Sequence, residues 1–482
     1  MRTAIAHLAL VSAWCMLLAG CSSSAEVSES PPVSKAAAAT TEAPAIYPGE
    51  TWTWAETPEE LGWSMEKLAQ AREYSESIGS AAVMIVDDGV VIDAWGDIER
   101  TYHCHSMRKS LISALYGIFV DEGKIDLSAT LLDLGINDMT PLTQTESRAT
   151  VADLLKARSG IYIRAAGEAQ SMVHVRPARG SHAPGTFWYY NNWDFNALGT
   201  IFDQKTGAES IYAAFNERIA EPIGMQDYDP DTLHYTYVDY TVHPYYGFQM
   251  SARDLARFGL LFLREGAWDG RQVIPSDWVR ESTMSYSDRG DGGGYGYMWW
   301  TGTGTGLFPG VTVPEQCFYA SGYRGHNVIV LPFRNLVVVH RVNTFEPEPD
   351  IAPNQVGILL WSILDAAGVE NIGHPPFIDQ APGTRLDDAA LHEAIVGRRL
   401  EAMGGSAGMF IESGEDGSLS ILMGDQPIYT GSWAIEAQRF CVDIPESDDI
   451  GGCFDVVRDE ENVYFYEKDG TLSIGFRFAG SP

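Results

Sequence analysis

Ser106 and Lys109 stand three residues apart in His105-Ser106-Met107-Arg108-Lys109-Ser110, at the head of an apolar run that ends near Gly123. On a helix, positions i and i+3 share a face, so the hydroxyl and the amine come within reach of each other. A serine hydroxyl is a weak nucleophile until its proton is removed, and a desolvated lysine is a neutral amine able to remove it. A helix N-terminus at the same place supplies backbone N–H groups and a positive dipole end where negative charge develops. Such a pair suits acyl transfer to and from a carbonyl group.

The spacing alone does not choose the site. Ser64-Met65-Glu66-Lys67 has the same spacing, in a chain with only seven lysines. There Ser64 follows Gly62-Trp63 and opens an amphipathic stretch, which suits helix capping. Context favours Ser106. Farther along, "PGTFWYYNNWDFNALG" carries Tyr190-Asn191-Asn192. A phenol beside a lysine can be held partly ionised and relay the serine proton to a leaving group. Asn192 can hydrogen-bond the lysine amine or a substrate amide. Ala320-Ser321-Gly322-Tyr323 reads as a strand end whose backbone N–H groups could face a developing oxyanion.

The elements that must position these residues are legible in outline. "PEELGWSMEKLAQAREYSESIG" has helical spacing up to Gly79, and "AAVMIVDDGVVIDAWG" reads as a hairpin turning at Asp87-Asp88-Gly89. The stretch "SMRKSLISALYGIFVDEG" predicts a mostly buried helix. "ATVADLLKARSG", "SARDLARFGLLFLREG" and "ILLWSILDAAG" predict three more, and "HNVIVLP" and "NLVVVHRV" two strands. After Pro376 come short strand-like runs separated by turn residues, from "GMFIES" to "SIGFRF", which predict a small antiparallel barrel or sandwich.

The N-terminal residues read as an address. Arg2, the apolar run Ala4 to Leu18 and Leu18-Ala19-Gly20-Cys21 are arranged as in a bacterial lipoprotein signal, with Cys21 acylated. An ordinary secretory signal with a chance cysteine is the alternative. This assigns residues 1–20 to a signal, 21–50 to a low-complexity tether, 51–375 to the main domain and 376–482 to a small all-β domain. The expected location is the periplasm or outer membrane, with a lipid anchor. The balance of 32 basic against 65 acidic residues gives a net charge of −33, which argues against nucleic acid and against anionic lipid as partners. Cys441 and Cys453 could close a hairpin by a disulfide in an oxidising compartment, and Cys104 and Cys317 could form a second. No spacing suggests a metal site or a nucleotide cradle, so no cofactor is expected.

The runs "HSMRKSLISALYGIFVDEGKIDL", "ATVADLLKARSGI", "PGTFWYYNNWDFNALG", "YGFQMSARDLARFGLLFLREGAWDG" and "YGYMWW" occur in the order seen in serine β-lactamase-like hydrolases. That family holds class C β-lactamases, penicillin-binding-protein-like peptidases, carboxylesterases and 6-aminohexanoate-dimer hydrolases; the chain most resembles the last branch and the carboxylesterases, over about Trp52 to Gly368. The resemblance implies an α/β (α+β) fold, with an antiparallel sheet flanked by helices and an all-α lobe across a cleft. It implies Ser106 as acylated nucleophile, Lys109 as base, Tyr190 as proton shuttle and Asn192 as the residue that positions Lys109 and substrate. The N–H groups of Ser106 and Tyr323 would form the oxyanion hole.

One departure bears on substrate. Where many members carry Lys or His to engage a substrate carboxylate, this chain has Ala320. That weakens β-lactam and carboxypeptidase chemistry and favours an ester or simple amide, with Gly322, Arg324, His326, Trp299 and Trp300 as candidate substrate contacts; the alternatives are a turn role for Arg324 and His326 and core packing for the two tryptophans. Tyr295, Tyr297, His103 and His105 are ordinary packing or loop residues unless they line the site. The rival readings are a penicillin-recognising enzyme acting on peptidoglycan fragments and a catalytically silent surface-tethered binding protein.

Overall fold

The computed structural model describes residues 45–479 apart from 170–171, 174, 290–291, 348, 404–408, 446–450 and 460. The expected signal, the expected acylation site Cys21 and most of the tether lie outside the described residues.

The main sheet has eight antiparallel strands. They are β1 (Ala82–Asp87), β2 (Val90–Gly96), β3 (Ser287–Asp288), β4 (Gly293–Tyr295), β5 (Trp300–Gly304), β6 (Val313–Gly322), β7 (His326–Leu331) and β8 (Leu336–Arg341). Their spatial order is β2-β1-β8-β7-β6-β5-β4-β3, so the N-terminal hairpin forms one edge and pairs with the last strand of the sheet, β8. Every residue of β1, β7 and β8 is buried, because helices cover both faces of the sheet.

On one face lie α2 (Arg108–Asp121), α3 (Asn192–Thr206) and α4 (Ala252–Leu263), whose apolar residues share one core with that side of the sheet. Ser251 caps α4 by accepting from Asp254 N–H, and α4 packs on β1, β7 and β8. Gly259 lets it lie close: a Cβ there would sit 2.5 Å from Val337 Cγ1. On the other face, α1 (Met65–Ser77) and α5 (Pro353–Ala366) pack together over a second core. The helix expected from Pro58 onward is split: Pro58–Leu61 is a 3-10 turn, Gly62 takes φ 86°, and Ser64 caps α1 by accepting from Lys67 N–H. Ser64 is thus occupied in capping.

The possible Cys104–Cys317 disulfide is not formed; both thiols are free and buried. Strand alternation explains this. Cys317 and Tyr319 of β6 face the second core, Phe318 and Ala320 face the first, and Cys104 lies in the first. The sheet stands between the two sulfurs.

The C-terminal strands are β9 (Thr384–Arg385), β10 (Arg399–Ala402), β11 (Met409–Ser413), β12 (Ser418–Met423), β13 (Gln426–Glu436), β14 (Arg439–Asp443), β15 (Gly451–Arg458), β16 (Asn462–Tyr466) and β17 (Leu472–Phe478). From β10 to β17 each pairs with the next, and β17 returns to β10, closing a meander barrel; β9 adds to β15. Its interior is filled by side chains such as Leu400, Phe440, Val456, Phe465 and Phe476, together with Leu391 and Ile395 of α6 (Asp388–Ile395), as expected for so narrow a barrel. Cys441 and Cys453 stand opposite each other on β14 and β15 and are joined by a disulfide. The barrel meets the main body through Phe377, edge-on to Tyr74, and through His374, stacked on Tyr464. Among the described residues no helix is long and apolar enough to cross a membrane.

Candidate active site

The chain reaches Ser106 through a short pairing of Tyr102–His103 with Gln249–Met250. His105 then adopts φ 46°, an uncommon left-handed conformation for a residue with a side chain, and a 3-10 turn over His105–Met107 runs directly into α2. This turn sets Ser106 at the head of the helix, half-buried, with Met107 sealed in the core beneath it. Lys109 is only 2% exposed, and its Nζ lies 2.7 Å from Ser106 Oγ. The amine stands 4.6 Å from the ring centre of Tyr190 and 4.9 Å from that of Phe195. Burial, and secondarily the Arg108 charge, hold its pKa well below the usual lysine range, which favours the free amine.

Tyr190 departs from expectation. Burial pushes its phenol pKa up, and a hydrogen bond with Ser106 and the Arg108 charge offset this only in part. The phenol is therefore held neutral rather than partly ionised. The cause is its aromatic surroundings: Trp300 stacks on Tyr190 at 5.1 Å, with Phe195 at 5.2 Å and Tyr295 edge-on at 5.9 Å. Ser110 and Ser113 on α2 donate to the carbonyls of Met298 and Tyr297, at 2.8 and 2.7 Å. These bonds tie the nucleophile helix to the corner before Trp300, where Met298 takes φ 63°.

Asn192 does not have the partner expected of it. Asn191 is the N-cap of α3, accepting from Trp193 N–H, and donates to Ile161 O and Asp194 Oδ1. It is a structural anchor of the helix start. Asn192 makes no bond to Lys109; its Nδ2 donates to Gly167 O at 2.7 Å, and its buried Oδ1 has no protein partner. Sequence reasoning missed Asp194, fully buried and accepting from Ser159 Oγ at 2.6 Å, which locks the loop at Ser159 to α3. Burial pushes its carboxyl pKa well up. Its place three residues after the cap Asn191 was the available signal.

The end of β6 borders the nucleophile turn. A Cβ on Gly322 would meet Cys104 O at 2.6 Å, so only glycine permits this approach. Tyr323 follows, 58% exposed, with its ring edge-on to His105 at 5.8 Å. Three candidate substrate contacts are reassigned. Arg324 donates to the carbonyls of Glu346, Pro347 and Pro349, binding that loop to the strand end. His326 is fully buried, bonded to Thr344 Oγ1 and Val342 N–H, and burial holds its pKa well below the usual range. Trp299 is fully buried among Phe258, Phe262 and Phe318. Trp300 alone of the two tryptophans reaches the site. His105 bonds Thr344 Oγ1 at 2.7 Å, and burial lowers its pKa to about 4; the His103 ring packs on Phe345.

The family model for beta-lactamase matches residues 65–360. An uncharacterized protein of Alkalihalophilus pseudofirmus is 25% identical over 270 residues, which span 51% of this chain and 75% of that protein. A solved structure from Bacillus anthracis, described provisionally as a 6-aminohexanoate-dimer hydrolase, is similar at a TM-score of 0.46 and 19% identity, covering 61% of this chain and 81% of that one. The octameric penicillin-binding protein homologue of Pyrococcus abyssi gives 0.49 at 15% identity, over 85% and 99% of the two chains. The matched span contains Ser106, Lys109, Tyr190 and Gly322, and through it the chain belongs to the beta-lactamase family.

Proposed function

We propose that this protein is a serine hydrolase that cleaves a carboxylic ester or simple amide through an acyl-enzyme on Ser106. The observation that carries this reading is the desolvated Lys109 amine 2.7 Å from Ser106 Oγ at the head of a helix. In the proposed reaction Ser106 Oγ attacks the carbonyl carbon and its proton passes to Lys109 Nζ. The oxyanion is received by the backbone N–H groups of Ser106 and Tyr323. The neutral Tyr190 phenol gives its proton to the departing oxygen or nitrogen and is reprotonated from Lys109. Water then attacks the acyl-enzyme, returning the proton to Ser106 Oγ and releasing the acid.

The neutral ester or amide is favoured over a substrate bearing a carboxylate. Ala320 offers no charge, Arg324 is occupied by three carbonyls, and His326 is buried and uncharged. Turnover of short-chain p-nitrophenyl esters and anilides should exceed that of cephalosporins and D-alanyl peptides, and should vanish in Ser106→Ala. Preferential cleavage of the D-alanyl peptides would transfer the reading to peptidoglycan. The same proposal places the enzyme outside the cytoplasm, anchored by a lipid on Cys21. Incorporation of a fatty-acid analogue into the full chain, lost in Cys21→Ser, tests that anchor.

A further inference from the structure

His105 immediately precedes the nucleophile, and its backbone sits in the left-handed region at φ 46°. A residue with a side chain keeps that conformation where its surroundings impose it. One such contact is Thr344, whose Oγ1 lies 2.7 Å from His105 Nε2. The same Oγ1 lies 3.4 Å from His326 Nε2, and His326 Nδ1 accepts from Val342 N–H at 3.4 Å. These bonds have only one consistent direction. A backbone N–H can only donate, so His326 Nδ1 carries no proton and Nε2 does. His326 Nε2–H therefore donates to Thr344 Oγ1, and the one hydroxyl proton of Thr344 goes to His105 Nε2. His105 is then a neutral ring with its own proton on Nδ1. Burial lowers the pKa of both imidazoles, in keeping with neutral rings.

This chain of bonds joins the two sides of the oxyanion hole proposed above. At one end, the Ser106 N–H belongs to the peptide unit that follows His105, so the backbone angles of His105 aim it. At the other end, His326 stands directly opposite Gly322 across the β6–β7 pair, at the base of the turn that carries Tyr323. The ring of Tyr323 lies edge-on to that of His105 at 5.8 Å, and the ring of His326 lies 5.4 Å from it. The segment bearing Thr344 is fixed to the same turn on both sides. Val342 is bonded to His326, and the carbonyls of Glu346 and Pro347 accept from Arg324, which takes φ 65° within the turn.

Packing alone does not call for a hydroxyl between two imidazoles, since valine would fill the same space. We propose that His105 is a positioning residue of the reaction: held by His326 through the Thr344 hydroxyl, it fixes the N–H of Ser106 relative to that of Tyr323 and so sets the geometry of the oxyanion hole. This rests on the reading of Ser106 and Tyr323 given above.

The test is the kinetics of Ser106 phosphonylation by a fluorophosphonate probe in the full chain, with the maximal rate and the half-saturating probe concentration measured separately. In that step an Oγ–P bond forms, the P–F bond breaks, fluoride leaves, Lys109 takes the serine proton, and the phosphoryl oxygen occupies the oxyanion hole. Thr344→Val, which keeps the shape and removes the hydroxyl, should lower the maximal rate about tenfold while the half-saturating concentration changes less than about twofold. Thr344→Ser restores the hydroxyl and should restore the rate. His105→Asn tolerates the left-handed backbone but is too short to reach Thr344, and should be slowed as far as Thr344→Val. The double variant should be no slower than the slower single one, because both changes break the same bond. A folded Thr344→Val that labels at the wild-type maximal rate, a Thr344→Ser as slow as Thr344→Val, or losses that multiply in the double variant would each overturn the proposal. If Thr344→Val does not fold by circular dichroism, His105→Asn takes its place, and a wild-type maximal rate in that folded variant overturns it equally. Failure of the wild type to label Ser106 overturns the underlying site instead, so the two failures are distinct.

Discussion

At Ser106 the chemistry depends on where one proton rests. The neighbouring amine is held as the free base by burial, and the neighbouring phenol is held protonated by the same cause. The free amine can accept and the phenol can donate, which is the division of labour acyl transfer needs. Because the Lys109 pKa is lowered, kcat/KM should rise with pH as the ammonium loses its proton, through a midpoint well below the ordinary lysine value. Lys109→Arg, which cannot deprotonate near neutrality, should lose about 10²- to 10⁴-fold in kcat/KM. Steady-state rates from mildly acidic to alkaline pH check both; full activity in the arginine variant would show that Lys109 is not the base. Ser106 and Lys109 were legible in the sequence because their meeting is set by one turn of one helix. The sequence left Arg324 and His326 open between a substrate contact and a turn role, because their partners, the carbonyls of Glu346, Pro347 and Pro349 and the groups at Val342 and Thr344, come from a segment that no local pattern aligns with them.

At the scale of elements, the site depends on how closely β6 can lie against the turn that carries the serine. Gly322 sets that distance, and the atom a side chain would meet is a backbone oxygen, which cannot rotate away. Gly322→Ala should therefore displace the strand end, lowering kcat/KM on the order of 10- to 100-fold with KM less affected. Circular dichroism should show the fold retained; unchanged kinetics would mean that the approach of β6 does not matter to catalysis. The valine-rich runs of β7 and β8 and the amphipathic α4 were readable because periodicity and burial coincide there. The N-terminal helix was overextended because Pro58 and Gly62 punctuate a run whose apolar spacing continues through them. The fate of Cys104 and Cys317 was hidden because it depends on which side of β6 each residue faces in the assembled sheet.

On the scale of the whole molecule, the hydrolase body and the barrel have separate apolar cores, and their contacts include Phe377 on Tyr74 and His374 on Tyr464. The Cys441–Cys453 bond crosses 12 residues within the barrel, a loop whose closure is worth about 3 kcal/mol in the chain-entropy model. Reduction, or paired replacement by serine, should lower the thermal transition of the barrel while leaving Ser106 reactivity unchanged. A parallel loss of reactivity would mean that the barrel supports the site. That strands would fill the C-terminal region was evident from their alternation, whereas closure required β17 to return to β10, a pairing of distant segments. The most direct test of the nucleophile takes the intact protein, treated with a fluorophosphonate and weighed by mass spectrometry beside Ser106→Ala. A single adduct that maps to Ser106, spares the similarly spaced Ser64 and disappears in the variant is the expected result. Folded wild-type protein without an adduct, or an adduct that persists in the variant, would contradict the assignment of Ser106.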